Sequence, residues 1–361
     1  YCDFNTYTPA ELGGLSTSTY VDAALAEIRL AGHVLGPAAP VAQTVFVGGG
    51  TPSMLPSGHL AVLLEAVRET FGLAAGAEVS TEANPESVTA AYLTRLREAG
   101  FTRVSLGMQS GAEHVLATLD RQHSPGRAVA AVTEARSAGF EHINLDLIYG
   151  TPGETERDWQ TSLDAAVAAG PDHVSAYALV VEEGTALARR VARGEIPAPD
   201  DDVLADRYEQ ADRALGRAGL RWYEISNWAR TEAARCRHNE LYWTSGDWWG
   251  VGPGAHSHIG GVRWWNVKHP RAYAARLEAG ETPAAAREIL DDATRRSERV
   301  LLRIRLADGV PLAELSAGRR AVTDAMVTYG LLDRAAHAGG RAVLTLRGRL
   351  LADSVVRELV D

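Results

Sequence analysis

Ala-Gly pairs punctuate the first two thirds of this chain, at Ala75-Gly76, Ala99-Gly100, Ala138-Gly139, Ala169-Gly170 and Ala218-Gly219. Each closes a helical pattern, and glycine suits the left-handed position just past a helix end. Each is followed within a few residues by a β-like run, at 78–81, 103–108, 142–147, 173–181 and 222–225, and 44–47 precedes them. The runs are short and rich in Val, Ile and Leu, as strands buried on both faces tend to be. Between them, apolar residues return at helical spacing. Leu60, Leu63, Leu64, Val67 and Phe71 form one stripe; Val21, Ala24, Leu25 and Ile28 form another, with Ser18 as its N-cap. The pairs are unevenly spaced, which excludes a solenoid of fixed period. Strand alternating with helix predicts a parallel sheet.

Such a sheet is either open or closed into a barrel, and the polar residues choose. Residues 48–51, Glu82, Gln109 and Asp146 all stand at the carboxyl ends of different strands. A barrel gathers those ends onto one face, where active sites form. In an open sheet the outer strands would lie far from the crevice at the switch point. A barrel or partial barrel is therefore expected. The rhythm is interrupted by a Pro- and Asp-rich loop at 196–202 and stops after about residue 230.

Composition narrows the function. The net charge is −10, which argues against nucleic acid as the main partner, because phosphate binding needs a basic surface. Cys2 and Cys236 are the two cysteines, so a disulfide framework is not expected and a reducing, cytoplasmic compartment is the simpler reading. No apolar run reaches the roughly eighteen residues of a transmembrane helix, and no secretory signal pattern opens the chain. The chain begins with Tyr1 rather than Met, and further sequence upstream is expected.

Three features carry chemistry. The first is the opening 1–7, Tyr-Cys-Asp-Phe-Asn-Thr-Tyr. The second is Gly48-Gly49-Gly50-Thr51-Pro52-Ser53 after a strand. Glycines let backbone approach a ligand closely and offer free amides. Its spacing is neither a dinucleotide fingerprint nor a phosphate-binding loop, and taken alone a tight strand-to-loop turn accounts for it equally well. The third is the set Glu82, Gln109, Arg121 and Asp146. Carboxylates can hold an amino group or ribose hydroxyls, and Arg can hold a carboxylate. Residue by residue, mutual satisfaction at a barrel mouth is the plainer explanation.

Together these features resemble the radical S-adenosylmethionine (SAM) superfamily, and within it the oxygen-independent coproporphyrinogen oxidase (HemN-like) family. Cys2 matches the third cysteine of that family's C-x3-C-x2-C motif, Gly48–Pro52 its glycine motif, and Glu82-Ala83-Asn84-Pro85 its E-x-[DN]-P motif. The run 105–109 matches its strand ending in Gln, and 146–150 its D-L-I-Y-G motif. The resemblance implies a [4Fe–4S] cluster with Cys2 as one ligand and the other two cysteines upstream of this chain. It assigns SAM contacts to Gly49, Gly50, Thr51, Glu82, Gln109, Arg121 and Asp146, with Leu179 a weaker match. The implied fold is α/β, a partial parallel (β/α) barrel of radical SAM type with a small C-terminal winged-helix-like domain. The implied chemistry is reductive cleavage of the sulfonium to a 5′-deoxyadenosyl radical, which the barrel must shield.

Two features separate the branches. Oxidases of the family carry a further cysteine two residues after the third; Phe4 stands there. The run His238-Asn239-Glu240-Leu241-Tyr242-Trp243 matches the H-N-x-x-Y-W motif linked with heme binding in the HemW-like chaperone branch. Trp243, Trp248, Trp249, Trp264 and Trp265 crowd this region. By resemblance, His238, Asn239, Tyr242 and Trp243 form a heme site, and Arg235 or Arg237 could meet a propionate. The bland alternative is an aromatic core with a structural histidine. A zinc reading of Cys236 with His238 fails for want of a second ligand pair. Gly252-Pro253-Gly254-Ala255-His256-Ser257 is common to both branches; it reads as a turn near the barrel mouth, with His256 a second-choice ligand.

The expected organisation is a barrel over 1–230, a Trp- and His-rich connection over 231–290, and a helical domain over 291–361 with a short strand near 342–346. From Asp291 onward twelve Arg face ten Asp and Glu, a near-neutral balance that favours a lid or docking domain over a DNA reader. The expected function is heme delivery to a respiratory heme protein. The competing reading is oxidative decarboxylation of coproporphyrinogen III.

Overall fold

The computed structural model describes residue 7, residues 16–121, residue 124 and residues 126–360. Cys2 and Phe4 lie outside the described residues. Strands β1 (Ala42–Val47), β2 (Leu73–Ala83), β3 (Arg103–Gln109), β4 (His142–Tyr149) and β5 (His173–Ala178) run parallel, each paired with the next. Helices α1 (Thr17–Leu35), α2 (Ser57–Phe71), α3 (Ala90–Ala99), α4 (Glu113–Thr118), α5 (Arg127–Ser137), α6 (Glu156–Ala169), α7 (Ala186–Ala192) and α8 (Asp201–Arg217) alternate with them. Strands β6 (Arg221–Glu224) and β7 (Asn227–Ala229) complete a seven-stranded sheet in the order β1-β2-β3-β4-β5-β7-β6. The sheet is a curled half-barrel.

The expected purely parallel order fails at the far edge. β6 runs in the direction of β5, but β7 turns back and inserts between them, antiparallel to both. The reversal is tight, with Ser226 at φ 84° between Glu224 and Asn227. No glycine or proline marks this turn, so the sequence carries no ordinary hairpin signal there.

The strands are largely buried on both faces, as expected, but the two faces differ in polarity. Val79, Val104, Leu106, Ile143, Leu145, Leu147, Val174 and Trp228 point to the helices and form one core with Leu60, Leu64, Leu93, Leu96, Val132, Trp159, Leu163 and Leu215. The alternate positions are polar: Glu78, Ser80 and Glu82 on β2, Arg103 and Ser105 on β3, His142, Asn144 and Asp146 on β4, His173 and Ser175 on β5. Side chains alternate across a strand, so these residues share the inner face of the curl. Their registers align: Glu82 opposes Ser105, Ser105 opposes Asn144, and Asn144 opposes His173.

Local expectations are corrected at three places. Ala75-Gly76 lies inside β2, because α2 already ends at Phe71 with Gly72 in positive φ. The α1 cap is Ser16, whose hydroxyl accepts from the Thr19 amide at 3.1 Å, rather than Ser18. The run at 342–346 splits into β12 (Arg341–Ala342, numbered after the strands below) and a helix starting at Leu346.

After the half-barrel come α9 (Arg237–Trp243), then β8 (His256–Ile259), β9 (Val262–Asn266) and β10 (Ala284–Ile289) in an antiparallel sheet, with α10 (Pro270–Glu278) between β9 and β10. Buried Glu27 of α1 holds this region. Its carboxylate accepts from the Gly252 amide at 2.8 Å, from Asn266 Nδ2 at 2.8 Å and from the Tyr273 hydroxyl. The Gly252–Ser257 turn is thus pinned to α1. The last part comprises α11 (Asp292–Arg303), β11 (Val310–Pro311), α12 (Ala317–Thr328), α13 (Arg334–Ala338), β12, α14 (Leu346–Leu350) and α15 (Ala352–Leu359). It has its own apolar cluster around Ile304, Val310, Met326, Leu344 and Val355. Among the described residues, no helix is long and apolar enough to cross a membrane.

Candidate functional site

A cavity of about 350 Å³ opens at the carboxyl ends of β1 to β5. Gly49, Gly50, Thr51, Glu82, Gln109, Arg121, Asp146 and Leu179 all line it. Every residue that the sequence resemblance assigned to SAM therefore faces one space. Its volume falls in the lower part of the range, roughly 300–1,000 Å³, that takes small ligands.

The chain is shaped around this space. Gly49 has φ 123°, a conformation open to glycine, and its amide donates to Glu82 Oε2 at 3.0 Å. Gln109 has φ 62° at a register shift in β3, an unusual backbone for a residue with a side chain. Its amide group folds back over Gly107, where a Cβ would stand 2.8 Å from Gln109 Nε2. A glycine two residues earlier is what lets Gln109 turn into the cavity.

Two carboxylates dominate the electrostatics. Burial pushes Glu82 up to about 7, the nearby charge of Asp146 adds to the rise, and the Gly49 amide opposes it. Burial also raises Asp146, against hydrogen bonds from Ser105, Ser175 and Asn144. The Ser105 hydroxyl donates to Asp146 Oδ2 at 2.6 Å, and Asn144 Nδ2 donates to Oδ1 at 2.7 Å. Two acids both raised by burial, one of them further by the other's charge, favour a cationic ligand, whose charge relieves both. The donor set thus fits a cationic, amine-bearing molecule such as SAM. Cys2, the cluster ligand that the resemblance implies, lies outside the described residues. Among the described residues, no group of three or more His, Cys, Asp or Glu could hold a metal ion.

The second set, His238, Asn239, Tyr242 and Trp243, sits on α9 against the inner face of β1 and β2. His238 Nδ1 meets Thr44 Oγ1 at 2.9 Å, and Nε2 meets the Tyr242 hydroxyl at 2.8 Å. The imidazole stacks on Phe46 at 5.0 Å and 15°. Burial lowers its pKa to about 4, so the ring is neutral near pH 7. Tyr242 packs edge-on to Trp248 at 4.7 Å. Asn239 and Trp243 approach the buried Glu224 carboxylate, which burial raises to about 8. A Cβ on Gly48, the residue before cavity-lining Gly49, would meet the Phe46 ring at 2.5 Å.

Glu78 of β2 holds the head of α9. Its carboxylate accepts from the Arg237 amide at 3.2 Å, the His238 amide at 3.1 Å and the Cys236 thiol at 3.5 Å. It also pairs with buried Arg103 at 3.2 Å. A carboxylate at a helix N-terminus satisfies otherwise orphaned amides. Cys236 is therefore a buried structural thiol, pushed up to about 12 by burial and by Glu78.

The residues expected to meet propionates are engaged elsewhere. Arg235 pairs with Glu240 at 3.5 Å and lies over the Tyr223 ring. Arg237 donates to the Gly76 carbonyl at 2.6 Å. His256 is exposed on β8, with its ring 6.0 Å from that of Trp265. The sequence reading missed Ser105, Asn144, Ser175, Glu78 and Arg103. Their signal was a polar residue at every second position of each strand.

A half-barrel with a glycine loop and a paired-carboxylate cavity at its strand ends defines a class, the radical SAM proteins. The Radical SAM superfamily profile matches residues 1–166. The heme chaperone HemW of Mycobacterium tuberculosis is 60% identical over 360 residues, covering 100% of this chain and 91% of that protein. HemW of Synechocystis is 35% identical over 87% of this chain and 76% of its own length. HemW of Escherichia coli is 36% identical over 76% and 71%. The solved coproporphyrinogen III oxidase HemN of Escherichia coli, a radical SAM enzyme, superposes with a TM-score of 0.83 at 22% identity, over 99% of this chain and 86% of that one. The last likeness shows the fold alone. This chain belongs to the HemW-like branch of the radical SAM superfamily.

Proposed function

We propose that this chain is a cytoplasmic heme-binding protein that passes heme to a client, a respiratory heme protein. The observation that carries the reading is the state of His238. It is a neutral imidazole with Nδ1 fixed on Thr44 and Nε2 held by one exposed side chain, Tyr242. Neutral imidazole is the ligating form, and a hydrogen bond at the other nitrogen sets the tautomer of a metal-bound histidine. Thr44 would accept the Nδ1 proton, and rotation of Tyr242 would free Nε2 for iron. Phe46, Tyr242, Trp243 and Trp248 would cover an apolar ring. The name of the Mycobacterium tuberculosis relative supports the same reading.

Gly49, Gly50, Thr51, Glu82, Gln109, Arg121, Asp146 and Leu179 would hold SAM, beside a [4Fe–4S] cluster that has Cys2 as one ligand. When bound, the cluster and SAM supply reductive radical chemistry. The chain's own residues bind and shield. Glu82 and Asp146 would face the amino group or ribose, Arg121 the carboxylate, and Leu179 would exclude water. The three parts would be a barrel over 1–230, a connection carrying the heme motif over 231–290, and a docking domain over 291–361.

The test is transfer. Full-length protein with its cluster reconstituted is loaded with heme and mixed anaerobically with apomyoglobin, a generic acceptor, and separately with coproporphyrinogen III. Heme arriving in myoglobin, and no protoporphyrinogen formed, is the expected result. Protoporphyrinogen formation would replace the chaperone reading with the oxidase one.

A further inference from the structure

The half-barrel interior holds a row of hydrogen bonds that starts at the head of α9 and ends at the cavity. The Cys236 amide donates to the Tyr223 hydroxyl oxygen at 3.1 Å. That hydroxyl meets His173 Nε2 at 2.7 Å, and His173 Nδ1 meets Asn144 Oδ1 at 2.6 Å. Asn144 Nδ2 then donates to Asp146 Oδ1 at 2.7 Å. The chemistry fixes every direction. Asp146 accepts from Asn144, so the remaining Asn144 atom is an acceptor and His173 must carry its proton on Nδ1. Nε2 is then the acceptor, and Tyr223 must donate to it. The Tyr223 oxygen is left free to take the Cys236 amide. All donors point the same way, from α9 toward Asp146.

His173, Tyr223 and Asn144 are buried. Burial and the nearby Arg103 charge hold His173 neutral, which is the single form the row permits. None of these residues lines the cavity except through Asp146, and none touches the His238 ring. In a buried row, removing one partner strands the next group, which is costly.

We propose that Tyr223 and His173 are positioning residues that hold the cavity carboxylate Asp146 and the head of the His238 helix in one hydrogen-bonded frame. This rests on reading the cavity as the SAM site and α9 as the heme site. Its consequence is graded along the row. Deleting the Tyr223 hydroxyl frees the α9 end and strands His173 Nε2, but keeps the bonds from His173 Nδ1 to Asn144 and from Asn144 to Asp146. Replacing His173 disturbs both ends.

The experiment uses the full chain with three readouts: heme affinity and Soret position, SAM affinity by equilibrium dialysis, and amide hydrogen exchange at Cys236, Arg237 and His238. For Tyr223→Phe the expected result is a five- to thirtyfold loss of heme affinity with a shifted Soret band, and at least fivefold faster exchange of those amides. SAM affinity should stay within twofold. For His173→Phe both affinities should fall. A purely structural defect would lower both together in each variant. Unchanged amide exchange in Tyr223→Phe overturns the proposal. If the wild type binds no heme, the functional reading fails, and the exchange data still decide the frame.

Discussion

Glu82 is the side chain whose environment makes the sharpest demand on a ligand. Its folded pKa of about 7 stands above the usual 4.5, which corresponds to on the order of 3 kcal/mol against ionising it. The sign follows for a raised carboxyl. The ligand-free protein has its full stability below pH 4.5, and this contribution is lost as pH rises toward about 7. Glu82→Gln removes the titration, so the variant should lose less stability than wild type over that window in urea melts. A cation prefers the ionised form, so SAM affinity should rise with pH through about 7, and the variant should bind at least tenfold more weakly with a flat profile. A wild-type profile flat from pH 6 to 8 would contradict this. Gly49, Glu82, Gln109 and Asp146 were legible because each stands at a strand end, where the chain's rhythm places a site. Ser105, Asn144 and Ser175 were not, because their runs hold enough Val, Ile and Leu to read as continuously apolar. Burial of a carboxylate is likewise set by neighbours distant in sequence.

At the scale of elements, α9 owes its place to β2 more than to its own seven residues. A helix that short is marginal alone, and Glu78 supplies the acceptor for its first amides. Glu78→Ala should cost about 3–5 kcal/mol, because Arg103 is left buried without its partner. Heme affinity should fall with it. Glu78→Gln, which keeps an acceptor for the amides, should retain more heme affinity than Ala at similar stability loss. Urea denaturation and Soret titration check both. A loss under about 1 kcal/mol for the Ala variant would mean that Arg103 finds another partner. The five parallel strands could be read from short apolar runs, and the helices between them from helical spacing and the Ala-Gly pairs that follow most of them. β7 could not, since a three-residue strand closed by Ile225-Ser226 carries neither a periodic pattern nor a turn residue. Gly76 misled for a related reason: a glycine at positive φ inside a strand looks the same in sequence as one at a helix end.

Across the whole molecule, Arg349 adds a side-chain tie between the last helices and the half-barrel to the backbone bonds Ile225–Arg305 and Ala307–Tyr223. Arg349 of α14 donates to both oxygens of Asp212 on α8, at 2.9 and 3.1 Å, and lies 4.3 Å over the Trp222 ring. Arg349→Ala should cost about 2–4 kcal/mol and raise hydrogen exchange across 292–360 more than across β1 to β5. Uniform change over both regions would contradict a local clamp. The two readings that matter most are a SAM cavity and a heme helix; the His238 ring stacks on Phe46, whose ring occupies the space a Cβ on Gly48 would take, one residue before cavity-lining Gly49. Heme titration of this chain, followed by Soret absorbance beside His238→Ala, tests that account most directly. Saturation near one heme per chain, with affinity at least tenfold weaker in the variant, is the predicted result. Saturable binding that is indifferent to His238 would contradict it, as would no saturable binding at all.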